Sequence, residues 1–230
     1  MHPGWPPLGA GHRTEAITSH PGSGAGLPRR RLCTIWGGKQ IVRPIDVSEI
    51  LDIAAYERER KNLRPRIMAL KDRRRIRLGD HMSMLFENRD TVRYQIQEMM
   101  RIERIVEPDA IRHEVDTYNE LIPGRNELSA SLFIEYETPQ EREVWLRALL
   151  GLEHHVGMEV AGRIVKARFD TRQIASDRLS SVQYIKFPLD DEQVRRWKEG
   201  ARIFVDHPRY QAEHVLTREQ LEELARDFEE

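Results

Sequence analysis

A chain of 230 residues, 39% hydrophobic and 33% charged, can bury a core as one domain or two small ones. Its formal net charge of −1 supplies no global basic field for nucleic acid and no polyacidic character. The lone cysteine, Cys33, excludes an intramolecular disulfide and any thiolate zinc site or iron–sulfur cluster built wholly from this chain. No apolar run approaches the roughly 20 residues of a membrane span, so a cytoplasmic location is expected.

Residues 1–43 are rich in Gly, Pro, Ser and Thr and carry no sustained apolar period, which predicts a disordered tail. Arg29–Arg31 and the Leu32-Cys33 pair raise export or lipidation, but no apolar stretch of about 7–15 residues accompanies them. Residues 44–230 are expected to form a single domain. Asp46 followed by Glu49 reads as a helix start, with Ile50, Leu51, Ile53 and Ala54 next and Leu63, Ile67 and Leu70 further on. Pro65 should kink or split that helix. Arg75–Leu78 and Met82–Phe86 flank Gly79-Asp80 as a hairpin.

Asp90 reads as the next N-cap, ahead of an apolar stripe of Val92, Ile96, Met99 and Met100 at helical spacing. Glu107-Pro108 opens another helix, with Ile111, Val115, Tyr118 and Ile122 on its buried face and Pro123-Gly124 as its stop. The short link predicts an antiparallel helix hairpin. Strict alternation from Leu128 to Tyr136 then predicts a strand. A helix carrying Val144, Trp145, Ala148, Leu149 and Leu152 follows. Met158–Val160 and Ile164–Phe169 flank Ala161-Gly162 as a second hairpin, and further strands are expected at Val182–Phe187, Ala201–Asp206 and Tyr210–Val215. Thr217 with Gln220 is a capping box for a last helix bearing Leu221, Leu224, Ala225 and Phe228. Helices followed by strands without strict alternation define an α+β fold, with N-terminal helices packed on a mixed or antiparallel sheet and a C-terminal helix.

The segments FENRDT (86–91), QIQEMMRIERI (95–105), HEVDTYNELIPG (113–124), ELSASLFIE (127–135), SSVQYIKF (180–187) and VDHPRY (205–210) together resemble a bacterial family known as domain of unknown function 3501. The similarity runs from about Pro44 to near the C-terminus. The family brings no established activity and no catalytic residues to carry over. Genes of that family are often found beside those of rubrerythrin-like di-iron proteins and iron–sulfur reductase-like proteins, so the resemblance implies a redox or oxidative-stress context.

Four constellations could carry chemistry. His113, Asp116 and Glu120 share one helix face, and Glu103 lies one turn beyond Met99 on the neighbouring helix, which makes these four the candidate metal ligands. The Glu-x-x-His pattern of bundle di-metal sites is absent, so a solvated acidic face is favoured and no cofactor is predicted. Arg89, at a strand-to-helix junction, could assist an anion at the helix start, or pair with a nearby carboxylate. Arg58–Arg77 holds ten Lys or Arg against Glu59 and Asp72, with Arg73, Arg74 and Arg75 at its core. Interleaved aromatic residues are sparse, so nucleic acid is disfavoured, and a salt-bridge surface partly neutralised by acids in 98–120 is expected. His154, His155 and His207 read as structural. With no nucleophile elbow and no phosphate-binding glycine loop, the reading leans to a non-enzymatic accessory protein that binds a rubrerythrin-like or iron–sulfur redox partner. A metal-binding protein or enzyme built on the helix hairpin, and a nucleic-acid or anion binder using 58–77, are the alternatives.

Overall fold

The structure, a computed structural model, describes residues 43–229, so the expected N-terminal tail and Cys33 lie outside the described residues. The described chain contains α1 (Ile53–Arg74), β1 (Arg75–Arg77), β2 (Met82–Glu87), α2 (Arg89–Glu103), α3 (Pro108–Asn119), β3 (Glu127–Ile134), α4 (Pro139–Ala148), β4 (Val156–Val160), β5 (Arg163–Lys166), β6 (Arg168–Phe169), β7 (Val182–Pro188), α5 (Asp191–Arg195), β8 (Ala201–His207), β9 (Tyr210–Val215) and α6 (Arg218–Ala225). The fold is α+β, as expected, but the strands divide between two sheets. One has the order β1-β2-β3-β7-β6 and the other β5-β4-β8-β9. Every adjacent pair in both is antiparallel.

Side-chain alternation explains why two sheets and a helical layer stack here. On β2, β3 and β7, one face presents Met84, Phe86, Leu128, Ala130, Leu132, Ile185 and Phe187. These join Val156, Met158, Ile203 and Val205 of the second sheet in one core, together with Trp197, Leu221 and Leu224. The opposite face presents Val182, Tyr184 and Phe133 to a second core formed with Val92, Ile96, Met99 and Met100 of α2 and Val115 and Tyr118 of α3. Both faces of the central strands are therefore covered, and β2 is buried along its whole length.

The local expectations hold in most places. Gly79 turns the β1–β2 hairpin at φ +69, and Ala161 and Gly162, at φ 54 and 74, turn β4 into β5. Thr217 and Gln220 form the reciprocal capping box of α6. Four details differ. Asp46 and Glu49 do form a capping box, but it opens only a single 3-10 turn. Ile50 then takes an extended conformation, and α1 starts at Ile53 under a second cap, Asp52. Pro65 neither splits α1 nor ends it. Pro65 and Lys61 are both exposed, so the carbonyl left without an amide donor faces water. The N-cap of α2 is Asn88, whose side chain and that of Thr91 cap each other's backbone, which places Asp90 in the first turn. On α4 the inward residues are Leu146 and, just beyond, Leu149 and Leu152, whereas Val144 is exposed.

Gly157 of β4 lies directly opposite Phe204 of β8, and a Cβ there would sit 2.4 Å from the Phe204 ring. The aromatic ring covers the space the glycine leaves. Gly157→Ala is expected to destabilise the protein by about 1–3 kcal/mol through overpacking. Urea denaturation measures this, and a variant as stable as the parent would show that Phe204 moves aside freely.

Candidate functional site: the α1–α2 cleft and the polar layer beneath it

α1 is a basic helix laid across α2. Only Tyr56, Ile67, Lys71 and Arg74 of its 22 residues are buried. Leu51, just ahead of α1, is clamped by the Gln97 side chain, which accepts from Leu51 N at 2.8 Å and donates to Leu51 O at 3.0 Å. Further along, Arg60 meets Glu98 through two hydrogen bonds of 2.6 and 3.0 Å, and Tyr56 donates to the same carboxylate at 2.6 Å. Burial works against the Glu98 carboxylate, and the Arg60 and Tyr56 hydrogen bonds outweigh it, holding the group below the usual carboxylate range.

Between these contacts the helices part around a cleft of about 250 Å³. α1 lines it with Glu59, Asn62, Leu63, Arg66 and Ile67, and α2 lines it with Asp90, Arg93, Tyr94 and Gln97. Glu49 and Leu51 complete the wall. Beneath Tyr94 lies a buried polar layer. The Lys71 ammonium sits 5.2 Å from the Tyr94 ring centre. Burial pushes its pKa down, and the field of Glu87 partly restores it. Glu87, itself 2% exposed, accepts from Thr91 Oγ1 at 2.6 Å and from Ser131 Oγ at 2.7 Å. A second buried pair, Lys186 with Glu127 at 3.0 Å, lies on the same face of the central sheet.

The basic core of the sequence is divided by this architecture. Arg74 is 1% exposed and donates to the carbonyls of Phe86 and Glu87 while pairing with Glu223 and Asp227. Arg73, on the outer side, reaches Glu223 at 3.1 Å, and Arg75 donates to Ser83 Oγ at 3.1 Å. The acids that meet Arg73 and Arg74 thus come from the C-terminal end of the chain. Of the acids of 98–120, Glu98 reaches α1, through Arg60 and Tyr56. Arg58, Lys61, Arg64 and Arg66 are exposed. Arg89 binds Glu49 with two contacts of 2.5 and 2.6 Å and donates to the Arg43 carbonyl at 3.2 Å.

On the helix pair 89–119, Glu103, His113 and Asp116 are exposed, and the partly buried Glu120 pairs with Arg172 at 2.6 Å. Glu103 and His113 both act electrostatically on Glu114, whose carboxyl is pushed up chiefly by burial. Among the described residues, no group of three or more His, Cys, Asp or Glu is arranged to hold a metal ion. His155 Nδ1 lies 3.0 Å from Asp206, and His207 Nδ1 accepts from Arg209 N at 3.2 Å. The cleft residues Asn62, Arg93, Tyr94 and Gln97 were not apparent from the sequence. Their only sequence signal is polar residues beside the apolar stripe of α2, and that becomes meaningful once α1 is laid across them.

Several tyrosines are held protonated. Burial raises the Tyr56 and Tyr184 phenols well above the ordinary value of 10.0, and Tyr136, stacked between His81 and Trp145, is pushed up to about 12. The folded protein keeps these protons to higher pH than the unfolded chain does. Their stabilisation is therefore complete below about pH 10 and is lost as pH rises through the folded values. Lys71, shifted down, acts in the opposite sense at lower pH. Unfolding free energy is expected to fall above about pH 10, and Tyr184→Phe should flatten that fall. An equal slope in the variant would show that Tyr184 is not among the groups responsible.

The described residues thus form a three-layer α+β fold with a charged helical cleft over a buried polar layer. A family model described as "Protein of unknown function (DUF3501)" matches residues 44–228, and the chain belongs to that family. It is also similar to a crystal structure of a protein of unknown function from Burkholderia pseudomallei. That similarity has 32% sequence identity and a TM-score of 0.75, and covers 80% of this chain and 99% of the other. No curated protein matches the chain. Among the described residues, no helix is long and apolar enough to cross a membrane.

Proposed function

We propose that the protein is a cytoplasmic accessory protein that recognises an acidic surface on a redox partner through the outer face of α1. The observation that carries this reading is the split of the basic segment. Arg60, Arg73 and Arg74 are engaged by Glu98, Glu223 and Asp227, Arg64 reaches the Tyr94 hydroxyl and Arg66 lines the cleft, whereas Arg58 and Lys61 are exposed on the outer side of the helix. Cations that the fold does not use internally, presented together on one element, give a local positive field despite the near-zero net charge. The family resemblance implies the partner class, a rubrerythrin-like di-iron protein or an iron–sulfur protein.

Charge reversal tests the reading. Arg58 and Lys61 are exposed, so Arg58→Glu with Lys61→Glu should leave folding intact while removing partner capture. Undiminished capture by the double variant would remove α1 from the interface. Reversing the charges of Arg73, Arg74 and Arg75 instead would not serve, because Arg74 is buried and paired with Glu223 and Asp227.

A further inference from the structure

Independently of the outer face of α1, we infer that the α1–α2 cleft is a binding site for a small zwitterion of the α-amino-acid class with an apolar side chain. Its walls carry charges of both signs. α1 contributes one acid and one guanidinium, Glu59 and Arg66, and α2 contributes the same pair, Asp90 and Arg93. Glu49 also lines the cleft, but its carboxylate is taken by the two contacts from Arg89, and Arg93 acts on it only through its field. The ion pairs of Arg60 with Glu98 and of Arg101 with Glu57 link α1 to α2 and use none of these four.

A simple anion entering here would gain two guanidiniums and meet two carboxylates, and a simple cation would meet the reverse. A ligand carrying both signs satisfies both kinds of group at once. The lining also has an apolar part, Leu63, Ile67 and the ring of Tyr94, which fits a hydrocarbon side chain. Gln97 spends both ends of its amide on the Leu51 backbone, so it stiffens the wall and leaves Asn62 as the polar amide facing the cleft. A volume of about 250 Å³ lies just under the range that holds drug-sized ligands, and it suits a molecule of about ten non-hydrogen atoms. Leucine and phenylalanine are of that size and chemistry.

The test is calorimetric titration of the full chain with L-leucine and L-phenylalanine. The same titrations are run with 4-methylpentanoate and 3-phenylpropanoate, which lack the ammonium, and with isoamylamine and phenethylamine, which lack the carboxylate. The expected result is saturable binding of at least one amino acid, with both of its truncated analogues about tenfold weaker or worse. Arg66→Gln should weaken the amino acid and its des-amino analogue together, and Glu59→Gln the amino acid and the amine together. Both residues are exposed, so unchanged melting temperatures would confirm that the variants fold. Equal affinity for an amino acid and its des-amino analogue would overturn the zwitterion assignment. Heats indistinguishable from dilution for all six compounds, or binding indifferent to both substitutions, would overturn the site.

Discussion

Replacing Arg74 with methionine is expected to destabilise the protein by about 3–5 kcal/mol, enough to leave many variants of a marginally stable domain unfolded. The guanidinium is 1% exposed and joins three elements. Its Nε donates to the Phe86 carbonyl at 2.9 Å and its Nη2 to the Glu87 carbonyl at 3.2 Å, on β2, and it pairs with Glu223 and Asp227 near the C-terminus. Glu223 would keep Arg73 and Arg226 at 3.1 and 3.3 Å, but Asp227 would lose its short contact inside a closed environment. Arg73→Ala, one residue away, removes a half-exposed pair and is expected to change stability by about 0–1 kcal/mol. Urea denaturation of the two variants measures the contrast. A second variant, Arg74→Met with Asp227→Leu, should recover part of the loss, because a matched apolar pair replaces a buried acid that has lost its contact with Arg74. Equal, small effects at positions 73 and 74 would mean that the C-terminal acids are not anchored through Arg74.

Glu87→Leu is expected to cost about 3 kcal/mol for a related reason. Of the two acidic fields that support the buried Lys71 ammonium, Glu87 outranks Glu98. Its loss leaves that ammonium with less compensation for its burial, and it removes the acceptor of the Ser131 hydroxyl at 2.7 Å. The Thr91 hydroxyl suffers less, since it also donates to the Asn88 carbonyl at 3.0 Å. Combining Glu87→Leu with Lys71→Met should restore part of the stability, and the interaction energy from the full cycle reports the coupling of the two charges. Strict additivity would show that Lys71 and Glu87 do not communicate.

Much of the framework could be read from local rules. The alternation of Leu128, Ala130, Leu132 and Ile134 marks one face of β3, and all four fall in the core between the sheets. The turn residues at 79–80 and 161–162, and the capping pair Thr217 and Gln220, act over three or four residues, so sequence spacing suffices to find them. The other face of β3 was harder. Ser129 and Ser131 look solvent-exposed by pattern, yet both are buried, because α2 carries a Thr91 and β2 a Glu87 that make the layer polar by design of the whole sheet. α1 illustrates the same difficulty. Lys71 and Arg74 occupy its buried side, and Arg74 meets Glu223 across a separation of 149 residues. No periodicity scan can assign a charged residue to the inside when its counterion is that remote. The ten basic residues within 58–77 are visible in the sequence, but their division into an inner and an outer set is not. The cleft itself is a product of how α1 crosses α2, and so of tertiary packing alone.

The most direct test of the proposed role is capture of partners from nuclease-treated lysate of the native host. Tagged chain is compared with the Arg58→Glu, Lys61→Glu double variant, at low and moderate salt, with bound proteins identified by mass spectrometry. The parent chain should retain a di-iron or iron–sulfur protein at low salt, retention should weaken as salt screens the contact, and the double variant should lose it while melting normally. A partner held equally by the double variant, or no redox protein retained by the parent chain at either salt, would contradict the proposed role.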